Sequence, residues 1–420
     1  MGYLRFIRAN STLLVFGVLL TLFSSFGQTY ILSLYVPFLM EEFRLNNSGI
    51  SGFYAIATIG SALILPTLGK YLDKINLRLY TLAATLLYSA SLLFLSLTSV
   101  WWLLPLAFFG LRLAGQGLFT HISITAMSRY FDEGRGKAIS LASLGHPLGQ
   151  AMLPILVLAL IGWMGWRASL WISVAMILVL IPVFLFVLIK DRHLVVRETL
   201  ATESSDPESN APVRMRQRDL LKSRKFWLLA PNLGILSFAI TTLFFYQLAI
   251  ADYKGWDIEW MAAGLTAFAI AGSLATLIAG PLIDKYSAGK FFPYYLIPFL
   301  VALVFVWQVD AAYIIIVYMV LMGLSTGFGN AILAALQVEF FGTASIGTVR
   351  SLFASVMVLS SALGPAAFGF IIDYGFSMDY IFIITGLMVL AVILQSLQTV
   401  PGLKMSLVKY SKMSYARFRS

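Results

Sequence analysis

The stretch Gly69-Lys-Tyr-Leu-Asp73-Lys74 closes one long apolar segment of the chain, and Gly280-Pro-Leu-Ile-Asp284-Lys285 closes another. The two stretches lie 211 residues apart (280 minus 69), and each places glycine, aspartate and lysine at the same spacing. Both stand where apolar sequence gives way to charged sequence. Because an internal repeat of this length marks a duplicated bundle, the pattern predicts two copies of one membrane unit.

The repeat continues through a glycine pair and an aromatic pair in each copy. The first copy reads Gly115-Gln-Gly117 and then Tyr130-Phe131, and the second reads Gly327-Phe-Gly329 and then Phe340-Phe341. The separation stays between 210 and 212 residues. We expect two halves related by an axis along the membrane normal, with a binding site near the midplane between them.

Composition indicates that the bilayer is the solvent of this chain. Hydrophobic residues make up 60%, charged residues 11%, and the mean hydropathy is +0.87. We count twelve continuous apolar runs of about 20 residues, the length that crosses a membrane as a helix, at 12–37, 49–68, 79–98, 101–128, 138–162, 166–189, 226–250, 260–283, 291–309, 312–338, 348–372 and 378–399. The runs do not alternate as barrel strands do, so they are helices. The predicted fold class is an all-α membrane protein with twelve transmembrane helices in two pseudo-symmetric six-helix halves.

The domain boundaries follow from these runs. Residues 1–189 form the first half, 190–225 a polar cytoplasmic linker, 226–400 the second half and 401–420 a basic cytoplasmic tail. With the N-terminus inside, 25 of the 29 lysine and arginine residues fall in inner segments. By the positive-inside rule, this predicts a multi-pass protein of the cell (inner) membrane with both termini cytoplasmic. The net charge of +10 is thereby explained, and we expect no nucleic-acid partner.

The sequence lacks the residues that several kinds of chemistry require. The chain has no cysteine, only three histidines, and neither a metal-binding HxxxH or HExxH spacing nor a GxxxxGK[ST] phosphate loop. No nucleophile and base stand in a recognisable pattern. We therefore expect no enzyme activity, no metal, no cofactor and no ATP-driven step. The expected partners are a small-molecule substrate and the lipid bilayer, and the expected state is a monomer.

Arg112 is the charged residue near the middle of an apolar run, about eleven residues from Trp101. Such a cation is costly in lipid and marks a functional site by default. At 100° per residue, Gln116, Phe119 and Ser123 fall within about 40° of Arg112 on one helical face. A structural alternative stays open, in which Arg112 only donates to carbonyl groups of a neighbouring helix.

Acidic residues are missing from the middle of every run. Glu339 and Asp373 come nearest, and each lies at a helix end. If Arg112 lines a cavity, its counter-charge must therefore come from outside the protein, and an anionic substrate is the simplest source. A carboxylate fits best. The same absence argues against an exporter of cationic drugs.

Other polar residues at similar depth complete the candidate site. The substrate-binding candidates beside Arg112 are Gln28, Gln116, Thr242 and Asn330, with Thr242 lying roughly where Gln28 falls under the repeat. Each of them could instead join two helices by a hydrogen bond. His121 and His146 are the proton-coupling candidates, because histidine titrates near neutrality. Helix packing is the alternative for His121.

These motifs resemble those of the major facilitator superfamily over the whole chain. The superfamily's inner loop between helices 2 and 3 matches at Gly69, Asp73, Lys74 and Arg78, while Asn76 and Leu77 depart from it. The resemblance implies a secondary carrier that works by alternating access. It also implies a gate on the inner side, whose candidate residues are Gly69, Asp73, Lys74, Arg78, Gly280, Asp284 and Lys285. A turn that merely fixes topology is the alternative.

Within the superfamily, the chain looks most like the monocarboxylate porter and oxalate:formate antiporter branch. The resemblance is carried by Tyr130-Phe131-x-x-x-Arg135-Gly-Lys-Ala138 and by Gly165-Trp166-Arg167. It implies a small organic anion, such as a monocarboxylate, as substrate. Helix 1 reads Ser25-Phe-Gly-Gln-Thr29 where many members carry an acidic residue, so coupling to a proton, exchange against a counter-anion and uniport all stay open. The competing functions are an exporter of drugs or other neutral or cationic solutes, and a non-transporting membrane sensor or scaffold.

Overall fold

The computed structural model describes residues 3–131, 134–188, 217–342 and 346–417. Eleven stretches are long and apolar enough to cross a membrane, and a twelfth apolar helix is shorter. We number these twelve spans in chain order. The all-α, twelve-helix architecture expected from the sequence is confirmed.

Spans 1 and 4 are built from several helical pieces. Span 1 comprises Tyr3–Phe23, the 3₁₀ turn Ser24–Gly27, Thr29–Leu32 and Val36–Phe43, and span 4 comprises Leu104–Leu111, the π-helix Arg112–Phe119 and Thr120–Tyr130. The remaining spans of the first half are Asn47–Gly69 (span 2), Leu77–Leu97 (span 3), Arg135–Ser143 with Gly145–Met164 (span 5) and Trp166–Leu188 (span 6).

The second half begins after the short helix Gln217–Lys222. Its spans are Arg224–Phe245 with Gln247–Lys254 (span 7), Ile258–Tyr286 (span 8), Ile297–Gln308 (span 9), Ile314–Phe341 (span 10), Ile346–Asp373 (span 11) and Asp379–Arg417 (span 12). Span 9 starts six residues later than predicted, because residues 292–296 form turns between the short helix Ala288–Phe291 and Ile297. The helix of span 12 continues beyond the predicted end at 399 into the segment predicted as a tail.

The loops fall on two faces of the bundle. The linker face carries the turn Lys70–Asp73, the ends of spans 4, 6, 8 and 10, and the short helix Gln217–Lys222. Residues 189–216 lie outside the described residues. The far face carries the short connections at Arg44, Gly165, Gly255 and Gly375, each with a positive φ. Three of these residues are glycine, which adopts a positive φ without steric cost, whereas Arg44 adopts it as a non-glycine residue.

Hydrogen bonds join the two halves at three places in the described chain. At the far face, the Asp373 carboxylate of span 11 accepts from the backbone N–H of Asn47 (3.0 Å) and of Ser48 (2.7 Å) at the start of span 2. The Gln247 amide of span 7 donates to the Tyr30 carbonyl of span 1 at 2.9 Å.

Deeper in the bundle, the Thr266 hydroxyl of span 8 donates to the Ala151 carbonyl of span 5 at 2.8 Å. The hydrogen bonds of Asp373 and Gln247 hold the two halves together at the far face, which is closed in this conformation.

Candidate functional site

Span 1 breaks near the middle of the bundle. Its sequence there, Ser24 to Thr29, contains serine and glycine, which are weak helix formers, and Gln28 is extended, with φ −85° and ψ 153°. The N–H of Ile31 donates to Gln28 rather than to Gly27. The Gly27 carbonyl is consequently released from the helical hydrogen-bond pattern.

Span 4 is irregular at the same level. Residues Arg112–Phe119 form a π-helix, a wider turn that is frequent at functional sites. The two irregular segments are in close contact: a Cβ on Gly27 would lie 2.4 Å from the Leu111 carbonyl oxygen and 3.0 Å from the Gly115 Cα. Only glycine permits this approach, so Gly27 brings the break of span 1 against the π-helix of span 4.

Arg112 fills the break. Its Nη1 donates to the Gly27 carbonyl at 3.2 Å and lies 3.5 Å from the Thr29 hydroxyl. Its guanidinium carbon lies 5.1 Å from the centroid of the Tyr54 ring, within the range of a cation–π contact. From span 3, the Tyr88 hydroxyl donates to the Phe23 carbonyl at 3.2 Å. Carbonyls freed inside a membrane bundle need such donors, because lipid supplies none.

The described residues do not satisfy the rest of the guanidinium. Arg112 is 3% exposed, and its Nε has no hydrogen-bond acceptor. In the described part of the chain, no carboxylate forms an ion pair with it. A purely structural role, in which Arg112 only donates to a neighbouring helix, thus accounts for one of its three guanidinium nitrogens, Nη1.

Arg112 lies on the wall of a cavity of about 590 Å³ between the two halves. The first half lines this central cavity mainly with polar side chains, which are Gln28, Thr29, Arg112, Gln116, His146 and Gln150. The second half contributes seven apolar side chains, among them Leu236, Ile240, Phe244, Phe268 and Met357, and five polar ones, which are Ser237, Thr241, Thr326, Asn330 and Ser361. The guanidinium and imidazole groups of the lining therefore come from the first half, and its large apolar side chains come from the second.

The structure brings together four of the five substrate-binding candidates. Gln28, Arg112, Gln116 and Asn330 line the central cavity, whereas Thr242 does not. The Thr242 side chain is fully buried, and its hydroxyl donates to the Phe238 carbonyl of its own helix at 2.7 Å. Its neighbour Thr241 lines the cavity instead.

The two histidine candidates are separated. His146 lines the central cavity, with Nδ1 3.5 Å from the Ser24 hydroxyl and Nε2 3.4 Å from the Thr120 hydroxyl. His121 packs instead against span 2, where its Nε2 would lie 3.1 Å from a Cβ on Gly69. Gln150 was not singled out from the sequence. Its position four residues after His146, on the same helical face, is the signal that could have found it.

The gate candidates lie at the linker face. Asp284 is exposed and makes no ion pair within the described residues, and the Nζ of Lys285 lies 5.1 Å from the centroid of the Tyr286 ring. The guanidinium of Arg78 lies 5.9 Å from the Phe186 ring of span 6. Gly69 ends span 2, Lys74 follows its last turn, and Gly280 has open space where a Cβ would stand. The Asp73 side chain lies outside what the structure describes.

Comparisons with known proteins identify the fold and the family of the chain. The chain is 24% identical over 408 residues to the MFS transporter asaE of Aspergillus flavus, covering 95% of this chain and 89% of that protein. Its fold is similar to that of the nucleoside transporter NupG, with a TM-score of 0.75 and 13% identity, covering 93% of this chain and 99% of that one.

It is also similar to a bacterial homologue of the human lysosomal transporter Spinster in an inward-facing, unoccupied conformation. There the TM-score is 0.69 at 15% identity, and the match covers 94% of this chain and 95% of that one. The sequence profile of the Major Facilitator Superfamily matches residues 18–266 and 233–404. The chain thus belongs to the Major Facilitator Superfamily, as a multi-pass membrane transporter.

Proposed function

We propose that this transporter is a secondary carrier that moves a small organic anion by alternating access, with Arg112 as the electrostatic partner of the anion. The observation that carries the proposal is the buried guanidinium on the wall of the central cavity. It has an unpartnered Nε and no carboxylate partner among the described residues.

The charge argument favours an anion over a neutral or cationic solute. A buried charge without a partner is strongly destabilising, and a substrate anion removes that penalty when it binds. Arginine presents its N–H groups as a planar fork that grips two oxygens of a carboxylate. A carboxylate is therefore the head group that this site would hold best.

The opposite wall suits the rest of the substrate. Phe244, Phe268 and Met357 of the second half offer apolar surface across the cavity from Arg112. A short hydrocarbon or aromatic body would lie there without losing hydrogen bonds. This arrangement supports a monocarboxylate, in line with the branch that the sequence resembles.

Alternating access follows from which face is closed. The far face is held by contacts of Asp373 and Gln247 across the halves. In the opposite state these contacts would break, and the gate at Asp73 and Asp284 would hold the linker face shut. By the charge distribution, the linker face is cytoplasmic, and the carrier works as a monomer in the cell membrane.

The energy source is a transmembrane gradient. His146 on the cavity wall is the group placed to exchange a proton with the substrate path, since its ring nitrogens lie near hydroxyl groups of Ser24 and Thr120. Exchange of the substrate against a counter-anion needs no such group. An imposed pH difference separates the two modes, because it drives uptake by a proton-coupled carrier and leaves uptake by an anion exchanger unchanged.

The test is uptake of a panel of organic acids into proteoliposomes, with a pH gradient of either sign. Arg112→Gln should lower carboxylate uptake by about 10- to 100-fold, the worth of a hydrogen bond to a charged group. Arg112→Lys keeps the charge but loses the planar fork, so its carboxylate uptake should lie between that of the parent and that of Arg112→Gln. Unchanged carboxylate uptake in Arg112→Gln would discard the proposal. If only cations or neutral drugs compete for uptake, the protein is a drug exporter. If no solute crosses the membrane at all, it is a sensor or scaffold.

A further inference from the structure

A second, smaller cavity adjoins the central one between spans 2, 4 and 11. Its volume is about 200 Å³. The residues that matter in its wall are Thr58, Ser61 and Ala62 of span 2, Arg112 and Gln116 of span 4, and Val358 of span 11. Arg112, Gln116 and Val358 also line the central cavity. The guanidinium of Arg112 therefore stands between two compartments.

Two residues that line this side pocket each carry a buried polar atom that has no partner among the described residues. These atoms are the Nε of Arg112 and the Oγ1 of Thr58, on residues that are 3% and 2% exposed. The Ser61 hydroxyl, by contrast, already donates to the Thr58 carbonyl at 2.9 Å. Buried polar groups are nearly always satisfied, and an unsatisfied one needs an explanation.

Both of these atoms can donate a hydrogen bond. The Nε–H of Arg112 can only donate, and the Thr58 hydroxyl donates or accepts. The Gln116 amide, which makes no hydrogen bond within the described chain, adds two further N–H groups. The same amide also has a carbonyl acceptor, so the group that decides the charge is the Arg112 Nε–H, which is cationic and can only donate. A positively charged donor of this kind fits an anionic oxygen better than a neutral or cationic group.

The geometry of the guanidinium points the same way. Its Nη1 is committed to the Gly27 carbonyl and the Thr29 hydroxyl of span 1. What remains is the edge formed by Nε and Nη2, one of the two edges at which arginine grips both oxygens of a carboxylate. Span 1 thus fixes one end of the group and leaves the other edge unused.

We propose that the side pocket receives the anionic head group of the substrate, held by Arg112 Nε and the Thr58 hydroxyl, while the organic body of the substrate occupies the central cavity. The inference rests on the proposed function and deepens it, since it assigns the head group and the body to different compartments. Thr58 and Ala62 then determine which head groups fit, and the second half determines which bodies fit.

Butyrate, butanesulfonate and butyramide share one hydrocarbon body and differ in the head group, so uptake of these three probes tests the division. Thr58→Val removes the hydroxyl at nearly constant volume and should raise the half-saturation concentration for butyrate about tenfold, since it removes a hydrogen bond to a charged group. Thr58→Ser keeps the hydroxyl and should change it by less than about threefold. Butyramide should be a poor substrate of every form.

Two substitutions, one that fills the side pocket and one that narrows the central cavity, serve as matched variants for this test. Ala62→Leu fills the side pocket and should lower butanesulfonate uptake more than butyrate uptake, because the sulfonate is larger. Ala354→Leu narrows the central cavity only, and should discriminate hexanoate from butyrate while leaving the ratio of sulfonate to carboxylate unchanged. Thermal unfolding of each purified variant identifies any that fail to fold.

Failure of this inference is distinguishable from failure of the proposed function. If Arg112→Gln loses butyrate uptake while Thr58→Val and Ala62→Leu behave as the parent does, the head group lies in the central cavity and the side-pocket assignment is overturned. A second outcome would also overturn the side-pocket assignment. If chloride raises the temperature of thermal unfolding of the parent but not of Thr58→Val, and butyrate raises neither, the pocket binds a free inorganic anion. If the parent and Arg112→Gln handle all three probes alike, the proposed function itself falls.

Discussion

The two halves of this transporter share one repeat and differ where the substrate would bind. In the first half, span 1 breaks at Gln28 and span 4 widens into a π-helix. In the second half, span 7 runs unbroken over Arg224–Phe245 and span 10 is a regular helix over Ile314–Phe341. The duplication supplies the scaffold, and backbone irregularity in one copy makes the polar site.

The side chains follow the same division. The repeat that aligns Gly115 with Gly327 makes Leu324 the position equivalent to Arg112. A cation in one copy is therefore a hydrocarbon in the other. Leu324 does not line the central cavity, where the second half instead places Phe244, Phe268 and Met357. Under the proposed function, the side of Arg112 would hold the charged end of an organic anion and these three residues its apolar end.

The largest expected effect comes from breaking the contact that makes the halves differ. Gly27→Ala puts a methyl group 2.4 Å from the Leu111 carbonyl oxygen, too close for any side chain. Overpacking of this kind costs about 1–3 kcal/mol, and it separates Arg112 from its acceptor. Uptake should be lost and the temperature of thermal unfolding lowered. Gly52→Ala, with open space around its Cβ, is the control and should change neither; equal behaviour of the two variants would contradict the account.

A smaller effect is expected at the far face, where the halves meet. Asp373→Asn removes the negative charge that accepts from Asn47 and Ser48 at the start of span 2. Charge-assisted bonds at a helix N-terminus contribute about 1–2 kcal/mol, so the far face should open about tenfold more often. The chain contains no cysteine, so labelling of Ser361→Cys in the cavity wall, from the far side of sealed vesicles, measures this opening.

Asp379→Asn is the matched control for that experiment. Asp379 accepts from Tyr253 and Ser377, both in the second half, so its bonds do not cross between halves. We expect no change in the labelling of Ser361→Cys from the far side. An increase as large as that of Asp373→Asn would show that the effect is not specific to contacts between halves.

Gln247→Leu should give a weaker response in the same assay. Its amide donates to the Tyr30 carbonyl at 2.9 Å and to the Ser33 hydroxyl at 2.8 Å, across the halves. Neutral hydrogen bonds contribute about 0.5–1.5 kcal/mol, so labelling from the far side should rise about threefold. Gln395→Leu removes an amide bonded to Trp227 within the second half and serves as control. A decrease in labelling would mean that Gln247 favours the opposite state.

The smallest effect is expected at the rims, where the halves are alike. Glu42 pairs with Arg167 in the first half and Asp310 with Lys254 in the second. The side chains of Glu42 and Arg167 are 37% and 32% exposed, and exposed pairs contribute less than about 1 kcal/mol. Glu42→Gln should therefore leave uptake unchanged and shift thermal unfolding only slightly. The Asp310 side chain is 77% exposed but that of Lys254 is only 4% exposed, so Asp310→Asn leaves a buried cation without its carboxylate and should lower the temperature of thermal unfolding more than Glu42→Gln does. Equal shifts in the two variants would contradict this account.

Sequence reasoning was sufficient for features that depend on chain length and charge. Twelve apolar runs of spanning length gave the fold, and the cost of charge in lipid singled out Arg112. Features set by local backbone geometry were not accessible. A uniform 100° per residue put Phe119 and Ser123 on the face of Arg112. In the structure, Phe119 packs on Tyr88 with ring centroids 5.0 Å apart, and Ser123 donates to the Gly17 carbonyl, because the π-helix changes that rotation.

The placement of Thr242 failed for a related reason. The repeat equates it with Gln28, but span 1 has already broken at that level while span 7 continues to Phe245. A helical Thr242 turns its hydroxyl back onto the Phe238 carbonyl, whereas the extended Gln28 reaches the cavity. Equivalent positions in a repeat share a side-chain direction only while the backbones stay equivalent.

The bond between Arg112 and the Gly27 carbonyl also constrains how this lineage can diversify. One guanidinium both completes the broken helix of span 1 and faces the site, so losing it to accommodate a new cargo would also damage the scaffold. Phe244, Phe268 and Met357 line the cavity without completing a broken helix. Under the proposed function, related proteins that differ in substrate should therefore keep the arginine and vary at these three positions.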